Sequence, residues 1–160
     1  MTTGRHGRFY AGGGMVYGGI SAKNNTTQTA IGSAGVPVQV VTFDTNGPSN
    51  WTTPDHTNDH ITILKPGDYL VIVTATIESV SGGGITMGLQ VEKNNGATDV
   101  DPLHLHRDMA GGGGDVGSVS TAAIVTLAAS DTVELWIFNA TSTANLIVED
   151  VVLTVLQVGG

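Results

Sequence analysis

The chain has 160 residues, 23 of them glycine, with 40% apolar and 5% aromatic content and no cysteine. That length is enough for one continuous core, and the missing cysteines exclude a disulfide framework and a thiolate metal site. The formal charge of −8 is unevenly spread: residues 1–23 carry three basic groups and no acid, a charge of +3, whereas residues 24–160 hold three basic and fourteen acidic groups, a charge of −11.

The elements, in chain order, begin with a glycine-rich arm over residues 1–19, where Gly12-Gly13-Gly14 and Gly18-Gly19 flank Met15, Val16 and Tyr17. It has no apolar stretch of the secretory type, which predicts a protein made in the cytoplasm. Arg5, Arg8, Tyr10 and Tyr17 make the arm a docking segment for an acidic protein surface, its plain alternative being simple solvation. The acidic body repels nucleic acid, so no such partner is expected. No apolar run approaches the roughly 20 residues of a membrane span, so no membrane partner is expected either.

From Ile20 onward, short apolar runs separated by turn clusters predict strands and no helix. The expected strands are 15–23, 27–31, 37–43, 60–64, 69–80, 85–93, 100–107, 117–127, 132–139 and 146–158, with 44–59 read as a long loop. The clearest start is Pro66-Gly67, a turn feeding the β-branched run from Tyr69 to Val80. In that run Tyr69, Val71, Val73, Ala75 and Ile77 form one apolar face, and Leu70 and Ile72 begin the other.

Ile85 to Glu92 alternates cleanly, Ile85, Met87, Leu89 and Val91 against Thr86, Gly88, Gln90 and Glu92, which predicts an outer strand with one wet side. Val152, Leu156 and Val158 oppose Val151, Leu153 and Val155, so the last strand is apolar on both faces. Ala122 and Ile124 likewise oppose Val125 and Leu127. An inner sheet with an apolar back follows, and its second cover is expected to be another subunit. Asn94-Asn95-Gly96 and Ala129-Ser130-Asp131 are the expected tight turns.

The chain resembles the jelly-roll family of complement globular heads and tumour-necrosis-factor-like trimers. The resemblance rests on Ile61 to Tyr69 before the long strand, the hairpin Gly88 to Gly96, the segment Leu127 to Leu135, and the terminal Leu153 to Gly159, and it spans about residues 18 to 160. It implies an all-β, ten-strand jelly-roll sandwich over residues 20–160, homotrimeric about its inner sheet, with both chain ends near the base. Leu70, Ile72, Ala122, Ile124, Val152 and Leu156 would then line the trimer interface. The few aromatics and the absence of a collagen-like stalk depart from the animal members, and the Gly-, Ala- and Thr-rich composition and small size resemble the versions carried by bacterial spores and tailed bacteriophages, where such trimers decorate capsids or tip fibres. The resulting expectation is a structural virion protein, a capsid decoration or cement trimer on the virion surface whose partners are its own copies and a major capsid or other virion protein. The alternative is a receptor- or carbohydrate-binding fibre head with a host-surface glycan as partner.

Several residues carry possible site chemistry. Trp51, in the long loop, suits sugar stacking or a partner pocket, or else serves as a lid over the sandwich end. Trp136 and Phe138 share a face with Glu134 away from the core, as a contact surface or as residues buried beneath the arm. His104 and His106 share one strand face two residues apart, the candidate metal-ligating pattern. Asp99 and Asp101 fall on the opposite parity and further ligands are lacking, so a solvated outer face is the first reading. Asp55, His56, Asp59 and His60 crowd one loop without the ligand order of a calcium loop, and Gly111 to Gly114 lacks the residues of a phosphate loop. No nucleophile elbow or triad can be assigned, so neither an enzyme nor a cofactor is expected.

Overall fold

A Pro-Gly turn starts one of the three longest strands of the chain, and the computed structural model of the protein, which describes residues 14–112 and 114–160, is organised around it. Twelve strands follow in order: β1 Tyr17–Ala22, β2 Gln28–Thr29, β3 Val38–Gln39, β4 Thr45–Asn46, β5 Thr52–Asp55, β6 His60–Ile63, β7 Gly67–Ser79, β8 Ile85–Lys93, β9 Thr98–Met109, β10 Asp115–Leu127, β11 Thr132–Asn139 and β12 Leu146–Gly159. Each expected run overlaps one of them. The stretch 44–59, read as a loop, holds β4 and β5 in addition. The reading missed β5 because Pro54 argues against a strand, and β5 accommodates it as the edge of its sheet. Tyr17 to Gly19, assigned to the arm, pair with Leu156 to Thr154 of β12.

The strands form two antiparallel sheets in a jelly-roll-like arrangement. The inner sheet runs β10-β7-β12-β1-β4 with β2 on β12, and the outer runs β5-β6-β11-β8-β9 with β3 on β11. Between them lies the core: Tyr69, Val71, Val73 and Ile77 of β7 and Val151, Leu153 and Val155 of β12 on one side, Met87, Leu89 and Val91 of β8 and Val133, Leu135 and Ile137 of β11 on the other. The two-residue period that buries these positions turns their sequence neighbours outward.

The turn geometry is local chemistry. Asn94 and Asn95 take left-handed φ values of 59° and 61°, and Ser130 takes 75°, as tight turns require. Gly67 is required for a different reason, since a Cβ there would stand 2.5 Å from the Gly159 carbonyl oxygen. The cluster at Asp55 is a turn and not a cation loop: its carboxylate accepts the Thr57 and Asn58 amides at 3.0 and 3.2 Å and the Asn58 side chain at 2.7 Å. Those bonds, the Asn58 side chain first, hold its carboxyl below the usual value.

Pairing fixes which loops share an end. Gln157 donates to the Val16 carbonyl at 2.9 Å, so Gly14 and Gly160 lie at one end of the sandwich, here called the base. The β6–β7, β8–β9 and β10–β11 connections lie there too. The loop 80–84 and residues 110–112 and 114 lie at the other end, where Gly112 donates to the Gly82 carbonyl at 2.9 Å. The thirteen residues of β7 between the two ends span roughly 40 Å.

Candidate interaction surfaces

The outward face of the inner sheet is built in rows that the register defines. Nearest the base, Ile124 lies opposite Leu70, Leu70 opposite Leu156, and Leu156 opposite Tyr17. Next come Ala122, Ile72, Thr154 and Gly19, and then Ser120, Thr74, Val152 and Ser21. All six residues expected at a trimer interface therefore share one face. Ile124 is 63% exposed, Val152 44% and Ile72 36%. The face grades from apolar at the base to hydroxyl-rich beyond Thr74, where an open groove of about 460 Å³ is lined by Ser21, Thr74, Thr76, Ser118 and Asp150. Thr76 and Ser118 hydroxyls meet there at 3.2 Å. Tyr17, assigned to docking, completes the apolar row beside Leu156.

The base is the second surface. Trp51 is 58% exposed and holds φ at 55°, an uncommon conformation for a bulky residue that marks local strain. Its carbonyl accepts the Leu64 amide at 3.2 Å, and its neighbour Asn50 exchanges backbone bonds with Tyr17 at 3.1 and 2.9 Å and bonds the Met15 carbonyl at 2.8 Å. Met15, Trp51 and Leu64, all exposed, thus crowd the end where the chain enters the fold. Arg5, Arg8 and Tyr10 lie outside the described residues. The fibre-head alternative takes Trp51 and the glycine loop near Asp108 to Val116 as contact sites; Trp51 lies at the base and the described part of that loop at the opposite end.

The third surface, the outward face of the outer sheet, differs from expectation. Gln90, Glu92 and Glu134 are buried on it, and Phe138 is only 6% exposed. The cover is local. Phe138 lies across the bare backbone of Gly88, its register partner, where a Cβ would fall 2.1 Å from the ring. His104 and His106 stand edge-on to the same ring, with centroids at 5.6 and 5.5 Å. Trp136 lies beneath the β8–β9 turn, its indole N–H reaching Glu134 at 3.3 Å. The aromatics are therefore sealed by β8 and β9 within the described residues, and they present little free contact surface. The two histidines are exposed on the sheet face turned away from the inner sheet. Their parity relation to Asp99 also changes: the β8–β9 register slips between Gln90 and Glu92, a bulge over residues 100–103 that brings Asp99 to the histidine side.

Glu134 accepts the Asn95 amide at 2.9 Å and the Thr132 hydroxyl at 2.6 Å, while Glu92 accepts the Gln90 side chain at 2.7 Å. The two carboxylates are direct cross-strand partners. Burial foremost, and then the charges of Asp99 and Glu134, push the Glu92 carboxyl up, against the pull of the Gln90 bond. A carboxyl raised in the folded state binds protons more tightly than in the unfolded chain, so its contribution to stability is present below the ordinary value of 4.5 and is lost as pH rises through the folded value. Glu92→Gln, which keeps the shape and an acceptor for Gln90, is expected to stabilise the protein at neutral pH by about 0.5–1 kcal/mol, the scale of a like-charge cross-strand pair. Urea unfolding at acid and neutral pH checks this. The variant should gain at neutral pH and be no better than the parent well below the ordinary glutamate range.

The architecture is that of the jelly rolls, and solved structures agree. The Eiger TNF of S. frugiperda superposes with a TM-score of 0.65 at 13% identity, covering 91% of this chain and 94% of that one. The globular domain of zebrafish complement 1qA protein gives 0.58 at 19% identity, covering 89% and 97%. At these identities the likeness is one of fold. No protein-family model and no curated protein matches the sequence.

Proposed function

We propose that the protein is a homotrimeric structural module whose inner-sheet faces meet about a threefold axis and whose base attaches it to a larger assembly. We further infer that this assembly is a bacteriophage capsid, decorated on the virion surface. The observation that carries the reading is the pairing of two surfaces. One flat sheet face leaves Ile72, Ile124 and Val152 open to water, and the end adjoining its apolar rows gathers Met15, Trp51 and Leu64 where the basic arm departs. Exposed apolar residues gathered in this way mark interaction sites. The arm adds a charge of opposite sign to the acidic body, as a tether to an acidic capsid surface would. A non-enzymatic role follows from the same reading.

The fibre-head alternative would have to use its two contact sites at opposite ends of the sandwich, one at a time. Trp51 instead serves attachment. Co-sedimentation with capsids of the encoding virus tests this, using the full chain, a version beginning at Gly14, and Trp51→Ala. The full chain should pellet, the shortened chain should stay in the supernatant, and Trp51→Ala should weaken binding by about tenfold or more, since exposed tryptophans are frequent anchors worth about 2 kcal/mol. Trp51→Ala should leave the unfolding midpoint nearly unchanged, since the side chain is exposed and its loss relieves little of the core. Equal pelleting of all three chains would contradict the attachment role of this end.

A further inference from the structure

We propose that His104 and His106 form a two-imidazole site for a divalent transition-metal ion of the imidazole-preferring class, Cu²⁺ or Zn²⁺. The inference stands apart from the attachment reading and rests on the outer sheet alone.

The geometry is specific. The two Nε2 atoms lie 3.1 Å apart, with the rings tilted by 58° and their centroids at 5.0 Å. Zinc–imidazole bonds run at about 2.0–2.1 Å, so two nitrogens on one ion stand about 2.9 Å apart at a right angle and about 3.4 Å apart at the tetrahedral angle. The observed spacing falls between these limits. Histidines two apart on a strand share a face, but their rings need not converge. Here Phe138 makes them do so. It lies flat over Gly88, the register partner of His106, and meets both imidazoles edge-on, so the pair rests on a fixed apolar support. A ligand pair held this way loses little freedom on binding an ion.

The surroundings favour the required tautomer. Asp99 Oδ2 stands 3.9 Å from His104 Nδ1, on the side opposite the shared Nε2 position. That separation is longer than a hydrogen bond, but a negative charge there favours the tautomer with the proton on Nδ1, which leaves the Nε2 lone pair free for metal. The β9 bulge delivers Asp99 to this side, and Asp108, bonded to the Thr86 hydroxyl at 2.6 Å, adds negative charge along the same strand. Among the described residues no set of three or more histidine or acidic side chains converges as a metal cage. The ion would therefore keep water in its remaining positions. An imidazole pair without thiolate suits Cu²⁺ first and Zn²⁺ next, and does not suit Ca²⁺ or Mg²⁺.

Titration calorimetry of the full chain with Cu²⁺ and with Zn²⁺, repeated on His104→Gln, His106→Gln and the double variant, tests the site. The chain has five histidines, so the reading is the difference between variants. Both side chains are exposed, and thermal melts will show that the variants fold. One equivalent per chain is expected to disappear in the double variant, and each single variant should lose at least the about 10–100-fold that removal of a mere supporting group costs at a metal site. Electron paramagnetic resonance of the Cu²⁺ form should report two imidazole nitrogens, falling to one in either single variant. Asp99→Asn should keep the two-nitrogen signal and bind about tenfold more weakly. Unchanged binding in the double variant overturns the site. Single variants that each retain parental affinity overturn the chelate and leave the rings as simple hydrogen-bonding partners.

Discussion

Under the proposed threefold assembly, replacing Ile72 and Ile124 together by aspartate is expected to yield a monomer at concentrations where the parent assembles. The two side chains lie in adjacent rows, Ile124 opposite Leu70 and Ile72 opposite Ala122, and both face away from the core. Full burial of an isoleucine contributes about 1.5–3 kcal/mol relative to exposure. Ile124, 63% exposed in the single chain, has most of that still to gain from a neighbouring copy, and Ile72, at 36%, has less. The aspartates act in the other direction, since a charge entering an apolar interface without a partner must be desolvated. Three equivalent contacts are lost at once in a closed trimer. The fold itself should survive, because neither side chain belongs to the core and exposed substitutions are usually worth within about 0.5 kcal/mol. Asp101→Asn, on the exposed part of β9, is the control and should leave the mass unaltered. Retention of the parent mass by Ile72→Asp/Ile124→Asp would contradict the interface.

Gly88→Val is expected to damage the outer face by overpacking. The Phe138 ring occupies the space a Cβ would need, and the overlap extends across three ring atoms within 2.6 Å. Phe138 must then leave its seat over the strand, and it carries the contacts to both histidines with it. Overpacking of this kind costs about 1–3 kcal/mol. Phe138→Ala should destabilise by about 3 kcal/mol, the lower end for a buried aromatic. The double variant Gly88→Val/Phe138→Ala should be less damaged than the sum, because the valine fills the space the ring vacated. A coupling of about 0.5–3 kcal/mol in a urea-unfolding cycle is the expected signature. Strict additivity would mean that Phe138 does not seal Gly88.

Much of this was legible in the sequence, and the reasons differ by element. Pro66-Gly67 and the run after it locate β7 because a turn and a two-residue period specify both the start and the faces. The outward residues Leu70, Ile72, Ala122, Ile124, Val152 and Leu156 could be read by parity alone, since β7, β10 and this part of β12 pair without a slip from Tyr69 to Ala75 and from Val151 to Gln157. Parity failed at Asp99, where the bulge over residues 100–103 resets the count. Pattern reading also misjudged β8: Gly88, Gln90 and Glu92 looked wet, but Phe138, Trp136 and the turn after Lys93 cover them. That cover depends on pairing β8 with β11, a non-local register that composition does not reveal. The position of Trp51 at the base was hidden for the same reason, since it follows from the bonds of Asn50 to Tyr17.

The most direct test of the account is the solution mass of the full chain by multi-angle light scattering, measured across a dilution series. The account predicts three times the 16.4 kDa of one chain, held until dilution separates the inner-sheet faces. A mass of one chain at every concentration would leave Ile72, Ile124 and Val152 exposed to water without a partner copy, and would contradict the threefold assembly on which the attachment role rests.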